Sequence, residues 1–228
     1  VDALERLGPD DRFNVIEFNS SHASLFRNAV PATRSNILMA KGFVQRLNAS
    51  GGTEMLPALR AALMQRRDPD LLQSGTAVRQ VIFITDGAVG NEAELFRAVA
   101  EHLGDTRLFT VGIGSAPNSF FMRKAAEVGR GSHTHIGKLD EVGLKMGALF
   151  AKLARPAALD IKIDWPAGAE AWPPRVPDLY YGEPLSVTVK LPVNYAQDAI
   201  TVRGKLGGRD WSRRIGIAGV AGDGESAD

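Results

Sequence analysis

The chain has 228 residues carrying 27 basic and 26 acidic side chains, a net charge of +1. That balance lacks the lopsided electrostatic footprint of a nucleic-acid binder, so no nucleic-acid partner is expected. There is no cysteine, which removes disulfide staples, thiolate zinc sites and thiol nucleophiles together.

Residues 1–7 read as the last two turns of a helix stopped by Gly8 and Pro9. So abrupt a start gives the expectation of a fragment of a larger protein. No signal peptide is apparent, and no apolar run is long enough to span a bilayer. Alternation of Phe13, Val15, Ile16 and Phe18 with polar residues predicts a strand over 12–19. A second strand over 23–30 follows a tight turn, making a hairpin at a sheet edge. Helical spacing of apolar residues predicts helices over 34–47 and 54–67. The stretch 68–75 reads as a loop.

Residues 79–85 are nearly continuously apolar, the mark of a parallel strand covered on both faces. A helix over 92–103, a strand over 108–114, a helix over 119–128, a short strand over 132–136 and a helix over 139–153 follow. This alternation predicts a doubly wound, mainly parallel α/β sheet with right-handed crossovers. At Arg155 and Pro156 the texture changes to period-two alternation over 159–164, 185–191, 199–206 and 211–217, around an irregular proline-rich stretch at 166–177. The expected organisation is an α/β domain over 1–155, a small antiparallel β module over 156–217 and a disordered acidic tail over 218–228.

Two loops carry candidate chemistry. Thr85-Asp86-Gly87 places a carboxylate just beyond the apolar strand, and ligands of open α/β sheets gather at the carboxyl ends of strands. A turn-forming Asp-Gly is the plainer reading. Gly51-Gly52-Thr53-Glu54 opens a helix, so Thr53 reads either as its N-cap or as a hydroxyl presented to a hard cation. Such a pair suits Mg²⁺, which takes oxygen ligands and keeps several waters.

Other features weigh less. Gly112-Ile113-Gly114 lacks the third glycine of a dinucleotide loop and reads as a turn. His133 and His135 share a strand face without a third ligand and read as a surface or edge pair. Ser20-Ser21-His22 reads as a hairpin turn, since a hydrolytic triad needs a base oriented by a third group. Trp165, Trp172, Tyr180 and Tyr181 read as the core of the β module, with a carbohydrate or peptide platform as the alternative.

The segments 11–19, 51–53, 81–87 and 109–114, in this order, resemble a von Willebrand factor A domain of the inter-alpha-trypsin-inhibitor heavy-chain-like type, bacterial surface relatives included. The likeness covers about 1–155, and the phrase at 177–185 is similar to the β-rich continuation of those proteins. The resemblance implies a metal-ion-dependent adhesion site, built from an Asp-x-Ser-x-Ser motif, a Thr and an Asp, that engages an acidic group of a protein or matrix partner. Thr53 and Asp86 match the second and third elements. Asp-x-Ser-x-Ser occurs nowhere in the chain; by family order it would precede Val1, on a strand between those starting at Arg12 and Arg79.

The expected function is therefore non-enzymatic binding through Mg²⁺, with Mn²⁺ or Ca²⁺ as substitutes, Thr53 and Asp86 as ligands, and Asn19, Ser20 and Asn91 at the rim. For this chain alone metal binding is expected to be weak or absent. Self-association to complete the sheet is a further expectation. The alternative is a metal-free scaffold domain; an enzyme fits poorly, for want of a general base with a partner. The resemblance also implies an extracytoplasmic or cell-surface location.

Overall fold

A computed structural model describes residues 2–48, 51–66, 78–88, 90–115, 118–154, 156–180, 184–192, 199–206 and 208–216. The predicted loop 68–75, Tyr181 and the tail 218–228 lie outside the described residues. Two compact units divide at the change of texture, Val1–Arg155 and Pro156–Asp228.

In the first unit, helix α1 (Asp2–Glu5) buries Leu4 and is tied to helix α2 (Arg34–Gln45) by Lys41 Nζ, 2.5 Å from Glu5 Oε1. That hydrogen bond is the main cause that holds the Glu5 carboxyl below its ordinary value. Thr33 caps α2, its hydroxyl accepting from Asn36 N at 3.2 Å. Beside these lies a small core of Leu4, Phe13, Ala32 and Ala40, with Phe13 and Phe26 edge to face at 6.0 Å.

The single strand expected over 12–19 is broken in two. Strand β1 (Arg12–Phe13) pairs with β4 (Val30–Pro31), and β2 (Ile16–Phe18) pairs with β3 (His22–Ser24), both antiparallel. Asn14 causes the break. Its side-chain carbonyl accepts from Val15 N and Phe26 N, and its amide donates to Phe26 O at 2.7 Å, so the side chain replaces ladder bonds that backbone would otherwise make.

Strands β5 (Gln80–Thr85), β6 (Arg107–Ile113) and β7 (His133–Ile136) form a parallel sheet in that order. Helices α3 (Met55–Met64), α4 (Glu92–His102) and α5 (Ser119–Val128) supply a core with Phe83 and Leu108, in which Leu95, Val99, Met122 and Phe121 are at most 1% exposed. Burying each such side chain stabilises the fold by about 1.5–3 kcal/mol. A 3₁₀ turn at Leu139–Glu141 precedes α6 (Val142–Leu153), which the sequence pattern had joined into one helix.

The central strand β6 is covered on both faces, but β5 is not: Ile84 is 40% exposed. Its apolar texture promised two covered faces, whereas among the described residues β5 is the edge strand and has no neighbour on its free side.

The second unit is antiparallel. Strands β8 (Pro156–Asp164), β10 (Leu179–Tyr180), β12 (Ala199–Leu206) and β13 (Arg209–Gly216) form one sheet in the order β10-β8-β12-β13, and β9 (Glu170–Trp172) pairs with β11 (Thr188–Lys190). Thus the stretch 166–177, expected to be irregular, contains a strand. Tyr180 is buried, but Trp172 is 49% exposed and is not the core residue the sequence suggested. Ala158, Ile161, Val176 and Val202 form this unit's core.

At the start of β5, alternation sends consecutive side chains to opposite faces. The Arg79 guanidinium donates to Gln65 O at 3.0 Å and to Ala62 O, carbonyls at the end of α3 that have no helical partner. Gln80 donates to Leu153 O at 3.3 Å, the end of α6. Replacing Arg79 by Ala is expected to cost about 1.5–3 kcal/mol, the range for hydrogen bonds made by charged groups. Urea denaturation should show it as a lower midpoint with an unchanged m-value.

Candidate functional site

The turn of the β2–β3 hairpin, the loop before α3 and the loop after β5 meet at the carboxyl end of the parallel sheet. Aromatic stacking aligns them: Phe18, next to the hairpin turn, lies over Phe83 with ring centroids 5.2 Å apart and planes 8° from parallel. Within the turn, Asn19 N donates to Ser21 O at 2.8 Å and Asn19 Oδ1 accepts from Ser21 N at 3.0 Å. The turn then holds the second loop by two bonds. Ser20 Oγ accepts from Gly52 N at 2.7 Å, and Asn19 O accepts from Glu54 N at 2.7 Å.

Gly51 has a φ of +85°, and a Cβ there would stand 2.6 Å from Ser20 Oγ, so both backbone conformation and space require glycine. Thr53, displayed by this loop, lies against the third loop. A Cβ on Gly87 would meet Thr53 Oγ1 at 2.7 Å and Cγ2 at 2.8 Å. The third loop is closed by Thr85 Oγ1, which accepts from Gly87 N at 3.1 Å and leaves Asp86 exposed at the tip.

Thr53 is not the N-cap of α3. Glu54 occupies that position without a side-chain cap bond. With Glu54 N taken by Asn19 O, and Met55 N donating to Thr53 O at 3.1 Å, the Thr53 hydroxyl is left to lie against Gly87. Of the expected rim residues, Asn19 and Ser20 are engaged in holding the second loop. Asn91 donates to Glu94 Oε2 at 3.2 Å and, among the described residues, shares no bond with the Thr53 loop. Nothing local in the sequence signals the Ser20–Gly52 bond, which spans 32 positions.

The Thr53 hydroxyl and the Asp86 carboxylate are both hard-oxygen donors, the type that Mg²⁺ takes. Among the described residues there is no group of three His, Cys, Asp or Glu side chains able to hold a metal ion.

His133 and His135 differ in setting. His135 is exposed, whereas His133 Nδ1 lies 3.0 Å from Thr110 Oγ1, whose own proton goes to Met122 O at 2.8 Å. His133 must therefore donate from Nδ1, and its buried Nε2 has no hydrogen-bond partner. The expected surface or edge pair is thus an edge pair, on an outer strand among the described residues, with only His135 exposed. Burial above all pushes the His133 imidazole below its ordinary value of 6.5.

A family model of the von Willebrand factor type A domain matches residues 2–134. The chain belongs to this family. Among curated von Willebrand factor A proteins, mouse von Willebrand factor A domain-containing protein 5B1 is 31% identical over 167 residues, covering 72% of this chain and 13% of that protein. Mouse inter alpha-trypsin inhibitor heavy chain 4 is 29% identical over 176 residues, 74% of this chain and 19% of its own length. The chain thus spans a small part of the relatives it matches. A solved von Willebrand factor type A protein from Catenulispora acidiphila superposes with a TM-score of 0.68 at 21% identity, covering 94% of this chain and 58% of that one, which supports the α/β fold alone. Domains of this family serve in general as protein-interaction and adhesion modules, and none of these matches points to catalysis. No described helix is long and apolar enough to cross a membrane.

Two outcomes follow from this geometry. Gly87→Ala is expected to displace Thr53 and to destabilise the first unit by about 1–3 kcal/mol, the usual cost of overpacking; a crystal structure of the variant and its denaturation midpoint check this. For His133 the folded value is depressed, so the unfolded chain binds the proton more readily. Stability is fully present above 6.5 and is lost as pH falls through 6.5 toward the lowered folded value. His133→Asn keeps a donor for Thr110 without a titrating ring, and the drop in urea midpoint between about pH 7 and pH 5 should be smaller in that variant.

Proposed function

We propose that this von Willebrand factor A domain is a non-enzymatic binding module. Thr53 and Asp86 hold Mg²⁺, and the complex engages an acidic group on a protein or matrix partner outside the cytoplasm. The observation that carries this reading is the contact of the Thr53 side chain with Gly87, the residue next to Asp86. Two loops from different elements bring a hydroxyl and a carboxylate to one rim. Thr53 and Asp86 would hold the cation, which would supply positive charge able to attract a carboxylate of the partner.

The residues of the chain have separable tasks. Asp86 contributes the negative charge that attracts the cation, Thr53 a neutral oxygen, and Gly87 the close approach between the two loops. One carboxylate and one hydroxyl leave most of the coordination to water, so this chain by itself binds weakly. The free edge of β5, where Ile84 is exposed, is where a further strand, from the same protein or from a second copy, would complete the sheet.

A second reading is a scaffold domain that takes no metal, favoured by the absence of a three-residue acidic or histidine cluster among the described residues. Calorimetric titration of Mg²⁺ or Mn²⁺ into the full-length protein separates the two. Asp86→Ala and Thr53→Ala are each expected to weaken binding about tenfold or more, some 1.4 kcal/mol. Absence of binding, or two silent variants, establishes the scaffold reading.

A further inference from the structure

We infer that Ser20 is the positioning residue of this site. Its hydroxyl does not act as a ligand; it holds the Gly51–Thr53 loop so that Thr53 stands beside Gly87. This rests on the metal-binding reading above and deepens it by naming what sets the Thr53 oxygen in place.

Four observations converge on it. Ser20 Oγ accepts from Gly52 N at 2.7 Å, one residue from Thr53. On the far side of Thr53, Asn19 O accepts from Glu54 N at 2.7 Å, so the hairpin turn grips the loop on both sides of the displayed residue. Gly51 adopts φ +85° with space for no Cβ against Ser20 Oγ, which fits the loop closely to this hydroxyl. The hairpin itself is registered on β5 by the Phe18–Phe83 stack, so the position of Ser20 is referred to the strand that ends one residue before Asp86. A loop with two consecutive glycines loses much backbone freedom on ordering, and the Asn19 carbonyl alone leaves Gly52 free to turn. Removing the hydroxyl therefore lets Thr53 drift while Asp86 stays put. Ligand-orienting groups of this kind typically change metal affinity by about 10–100-fold.

The test compares Ser20→Ala and Ser20→Thr in the full-length protein with the unaltered protein, Thr53→Ala and Asp86→Ala. Mn²⁺ affinity is measured by calorimetry, and exchange of the Gly52 amide by NMR. Ser20→Ala should weaken Mn²⁺ binding about tenfold or more and speed exchange at Gly52, with the thermal midpoint little changed because the residue is exposed. Ser20→Thr, which keeps the hydroxyl, should restore both. If Thr53→Ala and Asp86→Ala lose Mn²⁺ while Ser20→Ala binds like the unaltered protein, or Ser20→Thr is no better than Ser20→Ala, the positioning role is overturned and the binding module stands. If the unaltered protein takes up no Mn²⁺, the binding module fails, and exchange at Gly52 decides for Ser20: faster in the alanine variant alone supports it, unchanged in both overturns it.

Discussion

Phe83 is the residue on which the first unit turns. One side of its ring is committed to the core made by α3, α4 and α5, and Phe18 of the hairpin stacks on it. The hairpin has no ladder bonds to the parallel sheet among the described residues. Its placement therefore depends on side-chain packing, in which an aromatic pair adds about 0.5–1.5 kcal/mol beyond the area it buries. With the two rings in register, the hairpin turn stands over the loop before α3, where the Asn19 carbonyl accepts from Glu54 N and the Ser20 hydroxyl from Gly52 N.

This arrangement explains how residues distant in sequence come to share a rim. Neither Thr53 nor Asp86 reaches toward the other on a long side chain. Closeness comes from backbone, with Gly51 and Gly87 lacking the β-carbons that would press on Ser20 and on Thr53. A short oxygen-bearing side chain on a loop fixed by main-chain bonds has few rotamers to lose, which favours a preformed arrangement over one assembled on demand.

Much of this architecture was legible in the chain. The alternation of apolar strands with amphipathic helices yielded the parallel sheet, and the boundaries of α5 and β12 agree with the periodicity. What escaped was governed by partners far along the chain. Asn14 looks like an ordinary polar position in an alternating strand, yet it splits the strand because Phe26 offers both a donor and an acceptor to its amide. Thr53 carries every local mark of an N-cap, but the helix begins at Met55, with Glu54 in a non-helical conformation and its amide bonded to the Asn19 carbonyl. Ile84 belongs to a run built for two covered faces; hydrophobicity reports that design and is silent on whether a neighbouring strand is at hand. For the site, residue types and loops were readable, while the hold of Ser20 on Gly52 was not.

The anchoring of β5 has a mechanical corollary. Arg79 and Gln80 fasten one end of the strand to the termini of α3 and α6, and Asp86 stands just past the other end. Tension applied at Asp86 runs lengthwise along β5, parallel to its pairing with β6 from Gln80↔Arg107 to Thr85↔Gly112. Loaded in that direction, the ladder resists in shear, so its bonds yield together instead of opening in turn like a zip. Force entering at Asp86 along the strand would thus meet β5 in its stiffest direction.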